Sequence, residues 1–245
     1  MHHTSTARSP RTSRAARGLT VTASAVLLLA ALPAGVAAAG GGHTWVVHPG
    51  ESIQATVDQA SSGDTIRIEA GTYQEAVCVD HKGLTIEGAG RDQTKIVWPD
   101  WKTPADLPEV ASTPCWEAQN RVDPESDPNT LKDDVSGIFF LDPDGPVRVT
   151  FLSTWNHPAS GIAAWGANGF RVYKTKGHGH DRYGILAADS THTRIIRNIE
   201  EGVDRGTGDQ PNSGTAGIGI TDSSRAYADV VANDVEGYNI GIFAR

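Results

Sequence analysis

The sequence predicts an all-β fold, a parallel β-helix in which short strands stack coil upon coil. Three observations carry this reading. The dipeptide Gly-Ile recurs at Gly161-Ile162, Gly184-Ile185, Gly217-Ile218 and Gly241-Ile242, at spacings of 23, 33 and 24 residues. That period is too short for paired helices, and the strict leucine ladder of a leucine-rich repeat is missing. Finally, residues 44–100 read as one short helix among short strands that return about every ten residues, as in a capped solenoid.

The elements follow in chain order. Residues 1–39 form a secretory signal: a basic, Ser/Thr-rich start, an apolar stretch from Leu19 to Leu32, a break at Pro33 and Gly35, and Ala37-Ala38-Ala39 as a small-residue cleavage pattern. The apolar stretch is shorter than the roughly 20 residues a membrane span needs. No adjacent Arg-Arg pair precedes it, which favours the general export route. The mature chain is therefore expected outside the cell, with no membrane span once the signal is removed.

Residues 40–98 form a cap and the first coils. Trp45-Val46-Val47 is a short strand, and Pro49-Gly50 is a turn. Ser52 can cap a helix reaching about Ala60, with Ile53, Val57 and Ala60 on one face. Strands follow at Thr65–Ile68, Ala76–Val79, Leu84–Ile86 and Lys95–Val97, with Ala70-Gly71-Thr72-Tyr73 read as a turn. Residues 99–134 are rich in Pro and acid and carry little periodicity, which predicts a long surface loop. Trp98, Trp101 and Trp116 flank or lie within it. Pinning the loop to the barrel wall is the favoured role, ahead of sugar stacking. Cys78 and Cys115 are a default disulfide in an oxidising compartment; whether their Cα atoms approach closely enough stays open at this point.

Residues 135–245 hold the repeats. Aligning Gly161 with Gly184 without gaps also aligns Val172 with Ile195, Thr175 with Asn198 and Gly179 with Gly202. Asn233 and Gly237 continue the last two columns, and Asp189-Ser190 matches Asp222-Ser223. Each coil then holds three strands and three turns. It satisfies its backbone polar groups only by stacking on its neighbours. Asn198 over Asn233 predicts an amide ladder at an inward turn. The ten extra residues of the third interval lie in Val203–Gly214, a loop at one corner. Arg245 follows directly on the fourth Gly-Ile strand, so the helix is expected to be incomplete at that end.

Composition narrows the partners. The 245 residues carry 21 Lys+Arg against 29 Asp+Glu, a net charge of −8. Without the four leader arginines the balance is 17 basic against 29 acidic residues, a net −12. Such a surface argues against nucleic acid and anionic membrane as partners. A local basic groove or bound calcium can still hold an acidic polysaccharide. A monomer is expected.

His48-Pro49-Gly50-Glu51-Ser52-Ile53-Gln54-Ala55, Ser62-Gly63-Asp64-Thr65-Ile66, Ala70-Gly71-Thr72-Tyr73-Gln74-Glu75 and Gly83-Leu84-Thr85-Ile86-Glu87-Gly88-Ala89-Gly90 together resemble the N-terminal cap and first coils of the right-handed parallel β-helix proteins of the pectin-lyase-like superfamily. Tyr183-Gly184-Ile185 and Asn239-Ile240-Gly241-Ile242 are similar to its later repeats. The resemblance covers nearly all of residues 44–245 except the Pro-rich excursion. It implies a right-handed helix and polysaccharide chemistry: lyases, polygalacturonase-type hydrolases, uronan epimerases or non-catalytic members. The paired-aspartate signature of the hydrolases is missing at every coil. Asp133-Asp134 lacks the rest of that pattern, so no catalytic residue transfers by motif.

Candidate chemistry concentrates in Lys174–Tyr183, the turn before a Gly-Ile strand. The repeat alignment places the Val203–Gly214 loop at the same corner one coil along. Uronan elimination needs a base beside the carboxylate-bearing carbon and a cation to neutralise the carboxylate. Arg182, Lys176 and His180 are the expected catalytic residues, and His178, Tyr183 and Arg205 the expected substrate contacts. Asp181, Asp204 and Asp209 are the oxygen ligands a Ca²⁺ would take. The alternatives are a non-catalytic wall or glycan-binding solenoid, in which these turns are polar because they are wet, and a metal-handling export protein using His178, His180 and Asp181 or His192.

Overall fold

Ser52 starts the first helix from an extended backbone (φ −88°), and its Oγ accepts the Ala55 N–H at 3.1 Å. The Glu75 carboxylate accepts the Ile53 and Gln54 N–H groups at 2.8 and 3.1 Å, placing negative charge at the helix start. Helix α1 (Ile53–Gln59) ends at the C-cap Ala60. Lys82 Nζ donates to the Val57 and Asp58 carbonyls at 2.9 and 3.0 Å, near the helix end where a cation is favoured. Ile53 and Val57, four apart, bury one face in the end of the barrel.

The computed structural model describes residues 42–99, 114–122, 135–203, 216–221 and 227–245. Residues 1–41 lie outside them, and residues 40–245 form one compact unit. The strands are β1 (Thr44–Val47), β2 (Thr65–Ile68), β3 (Gly71–Tyr73), β4 (Val77–Asp80), β5 (Thr85–Gly88), β6 (Thr94–Val97), β7 (Ile138–Leu141), β8 (Val147–Thr150), β9 (Ser153–Trp155), β10 (Ser160–Trp165), β11 (Phe170–Tyr173), β12 (Lys176–His178), β13 (Tyr183–Ala188), β14 (Thr193–Ile196), β15 (Ile199–Glu201), β16 (Ala216–Thr221), β17 (Ala228–Val231), β18 (Asp234–Glu236) and β19 (Ile240–Ala244).

These strands make three parallel sheets. The first runs β1-β2-β5-β8-β11-β14-β17, the second β3-β6-β9-β12-β15-β18, and the third β4-β7-β10-β13-β16-β19. From β2 onward the chain visits first, second and third sheet in turn, so the fold is a parallel β-helix. The Gly-Ile strands fall in register: Ile138, Ile162, Ile185, Ile218 and Ile242 pair in sequence, with Val77 before them. Ile138, Ile162, Ile185 and Ile218 are 0–1% exposed. Burying each stabilises the fold by about 1.5–3 kcal/mol.

Left-handed residues stack at the corners. Phe151, Lys174, Arg197 and Ala232 have φ of 53–60° between the first and second sheets. The next residue in each coil turns inward, giving Leu152, Thr175, Asn198 and Asn233. Here the expected amide ladder forms. Asn198 Oδ1 accepts from Thr175 N and Oγ1, both at 3.0 Å, and Asn198 Nδ2 donates to Asn233 Oδ1 at 2.9 Å.

Two expectations are corrected. Gly71–Tyr73 is a strand, paired with Thr94–Ile96, because Tyr73 buries its ring in the barrel as an inward strand residue does. The excursion carries a helix, α2 (Pro114–Val122), docked on the outer face of the third sheet. Cys115 is disulfide-bonded to Cys78, with a Cα separation of 5.0 Å. Ala118 packs with Phe139, Leu141 and Ala163, and Gln119 Oε1 accepts from Ser136 N and Oγ. Trp98 and Trp116 pack against this cluster, consistent with pinning; Trp101 lies outside the described residues.

Candidate functional site

Side chains alternate across a strand, so each second-sheet strand sends residues to solvent at every other position. Register then stacks these residues across coils. Lys95 pairs with Ser153 and Ser153 with Lys176; Trp155 pairs with His178 and His178 with Glu201. Lys95, Trp155, Lys176, His178 and Glu201, from four coils, therefore meet on one outer face.

Glu201 is the hub. Its Oε1 lies 2.8 Å from Lys176 Nζ and its Oε2 3.1 Å from His178 Nδ1. Partial burial raises the Glu201 carboxyl, but the hydrogen bonds from Lys176 and His178 outweigh it and hold the group below its ordinary value. The Trp155 Nε1–H donates to Ser153 Oγ at 2.8 Å, which lays the indole along its own strand. Lys95 Nζ sits 5.5 Å from the ring centroid on the preceding coil, and Lys176 Nζ 5.6 Å on the following one. The His178 ring is 4.4 Å away. The indole thus spaces two ammonium groups, an arrangement its quadrupole favours.

Of the predicted residues, Lys176 and His178 belong to this cluster. Asp181 and Arg182 lie half-buried in the turn from β12 to β13, where the Arg182 N–H donates to Ala159 O at 2.9 Å. Tyr183 sits around the corner, its ring against Gly219 of the third sheet. Asp204, Arg205 and Asp209 lie outside the described residues, in the segment joining β15 to β16 as 179–182 joins β12 to β13. Asp181 is the single described member of the Ca²⁺ set.

His180 differs from expectation. Gly179 adopts φ 69°, which turns the chain and sends His180 into the barrel, 0% exposed. Its Nδ1 accepts the His157 N–H at 3.2 Å, and its Nε2 faces Thr154 Oγ1 and O at 3.0 and 3.1 Å. A Cβ on Gly161 would lie 2.5 Å from Nε2, so the glycine makes room for the imidazole. Burial pushes the His180 pKa well below its ordinary value, and the adjacent His157 adds to this. It is a neutral interior side chain without access to an external substrate. It also cannot share a metal ion with His178, which faces out. Among the described residues no three His, Cys, Asp or Glu side chains converge as a ligand set.

Glu200 likewise points inward, into space left by Gly177 and Gly184. Burial, and then the neighbouring Glu201 charge, raise its pKa well above the usual carboxyl range. Its Oε2 has no hydrogen-bond partner among the described residues.

Sequence reading missed Lys95, Trp155 and Glu201. The signal existed: Trp155, His178 and Glu201 are 23 residues apart, in phase with Gly161 and Gly184.

No protein-family model matches the chain, and no curated protein matches it in sequence. Among solved structures it is similar to one described as the PL6 family alginate lyase AlyGC, at 13% identity and a TM-score of 0.42. The match covers 84% of this chain and 29% of that one, so the chain spans under a third of that structure's length.

Proposed function

We propose that the protein works outside the cell, where the outer face of its second sheet binds an acidic polysaccharide. The observation that carries this is the convergence of Lys95, Trp155, Lys176, His178 and Glu201 across adjacent coils of one continuous face. Two ammonium groups beside the indole against the single Glu201 carboxylate leave the cluster net positive, which suits carboxylates along an extended chain. The leader-like start and the Cys78–Cys115 bridge support export. No helix among the described residues is long and apolar enough to cross a membrane.

The experiment is retention of the mature protein on immobilised polyuronate, with neutral glucan as control. Lys176→Ala and Trp155→Ala are expected to elute at lower salt than the parent. Equal elution of parent and variants rules the second-sheet site out.

A second reading, β-elimination, has one specific support. Glu201 fixes the His178 imidazole through Nδ1, leaving Nε2 as the outward acceptor, the base-plus-orienter arrangement of proton-abstracting sites. In that reaction Nε2 takes the proton next to the uronate carboxylate, Lys95 together with the Glu201-paired Lys176 neutralises the carboxylate, and the glycosidic C–O bond breaks as the alkene forms. The leaving oxygen takes a proton from water. Appearance of unsaturated uronate absorbance that His178→Ala abolishes is the expected result. No absorbance change on pectate, alginate or glycosaminoglycan leaves the protein as a binding solenoid.

A further inference from the structure

The first sheet carries a second row of cations. Arg148, Arg171 and Arg194 pair directly across β8, β11 and β14 and all point outward. Neighbouring strands are about 4.8 Å apart, so the row roots one arginine per coil at that backbone interval. Like charges directly opposite each other in a sheet are destabilising. Arg194 meets Asp229 at 3.4 Å at the end of the row, while Arg148 and Arg171 have no carboxylate partner among the described residues. The outward column beside them adds Tyr173, with Lys174 Nζ 5.2 Å from its ring centroid and 5.8 Å from that of Phe151. Arg197 follows Lys174 in the corner stack. The nearest acid of that column is Glu87, which pairs with Thr150, two residues along β8 from Arg148. A cleft of about 330 Å³ opens beside Arg148 and Arg171, floored by Gly63, Gly83, Thr85 and Gly145. The glycines raise no side chains there, so an anionic group can reach both guanidinium groups.

A repulsive row of this kind, in a chain of net charge −8, is explained by a ligand that supplies the missing negative charge. We infer that Arg148, Arg171 and Arg194, flanked by Lys174 and Arg197, form a binding face for a linear acidic polysaccharide lying along the coil axis. Guanidinium groups bind carboxylates in a forked geometry, and a repeating carboxylate matches a repeating arginine. Nucleic acid duplexes and anionic membranes are the less suitable polyanions, because the row is one arginine wide along the coil axis and follows a single chain, whereas a duplex or a bilayer spreads its charge over a broader surface. This face is separate from the second-sheet cluster and does not rest on it.

The test uses the full chain and calorimetric titration with oligouronates, dextran sulfate and neutral dextran, alongside duplex DNA and phosphatidylserine vesicles. Arg148→Ala/Arg171→Ala/Arg194→Ala is expected to weaken oligouronate binding at least tenfold and to flatten its salt dependence. Lys176→Ala keeps that loss distinguishable from failure of the second-sheet site. Arg171→Glu supplies an internal partner to Arg148 and Arg194. It is expected to raise the melting temperature while weakening binding, an outcome a fold defect cannot mimic. Unchanged oligouronate affinity in both variants overturns the inference, as does binding of DNA or vesicles alone.

Discussion

Replacing Asn198 tests the interior ladder that holds neighbouring coils in phase. The side chain is 1% exposed and makes four hydrogen bonds: from Thr175 N and Oγ1, to Val172 O at 3.3 Å, and to Asn233 Oδ1. Asn198→Ala leaves the buried Thr175 N–H and hydroxyl without their acceptor. At about 1–3 kcal/mol for each buried group left unsatisfied, the expected loss is about 3 kcal/mol. Asn198→Asp is nearly isosteric and keeps the acceptor for Thr175. It turns a carboxylate oxygen toward Val172 O and Asn233 Oδ1, with no cation to compensate. Its folded pKa is therefore raised, so its stability is retained below the unfolded aspartate pKa and lost as pH rises. Urea denaturation followed by far-ultraviolet circular dichroism at pH 5 and pH 8 measures both effects. The aspartate variant should match or exceed the alanine loss at pH 8 and recover part of it at pH 5. If both variants stay within about 0.5 kcal/mol of the parent at both pH values, the amide does not sit in a buried ladder.

Other predictions concern the same interior. Burial lowers the His157 pKa from 6.5 to about 4. Below pH 6.5 the unfolded chain binds the extra proton, so stability falls as pH drops, by about 3 kcal/mol for this residue between pH 6.5 and 4. His157→Phe should shallow the acid limb of the stability profile measured by urea melts. Glu200 has the opposite sign. Its folded pKa is raised, so stability is lost as pH climbs above the unfolded carboxyl pKa near 4.5. Glu200→Gln should remove that alkaline loss, raising the melting temperature at pH 8 and leaving it nearly unchanged at pH 4. Reducing the Cys78–Cys115 bridge, which spans 37 residues, should cost about 4 kcal/mol by chain entropy and expose the α2 amides first in hydrogen exchange. Gly161→Ala places a Cβ against His180 Nε2 and should lower the melting temperature by several degrees, read by differential scanning calorimetry.

The coil repeat was legible because a glycine and an isoleucine must fall at fixed points of each turn. Gly161, Gly184 and Gly217 mark the close approach of one coil to the next, and Ile162, Ile185 and Ile218 fill the barrel behind them. Ser52, Asn198 and Asn233 were legible for a similar reason, since each answers a specific unsatisfied backbone or amide group. Helix α2 was not, because its packing face depends on a disulfide and on Phe139 and Leu141, which are remote in sequence. The His180 expectation failed on a single dihedral. Alternation from His178 puts His180 outside, and the left-handed Gly179 reverses it. The arginine row and the Trp155–His178–Glu201 stack are written in the same 23-residue phase. They emerge only when each strand's inward and outward positions are assigned.

Both proposed faces depend on residues 23 apart lying side by side. Methyl-labelled isoleucine in the folded protein measures this directly. The account predicts a chain of nuclear Overhauser contacts from Ile138 to Ile162, Ile185, Ile218 and Ile242 in that order. Isoleucine methyls that contact only residues near in sequence would contradict it.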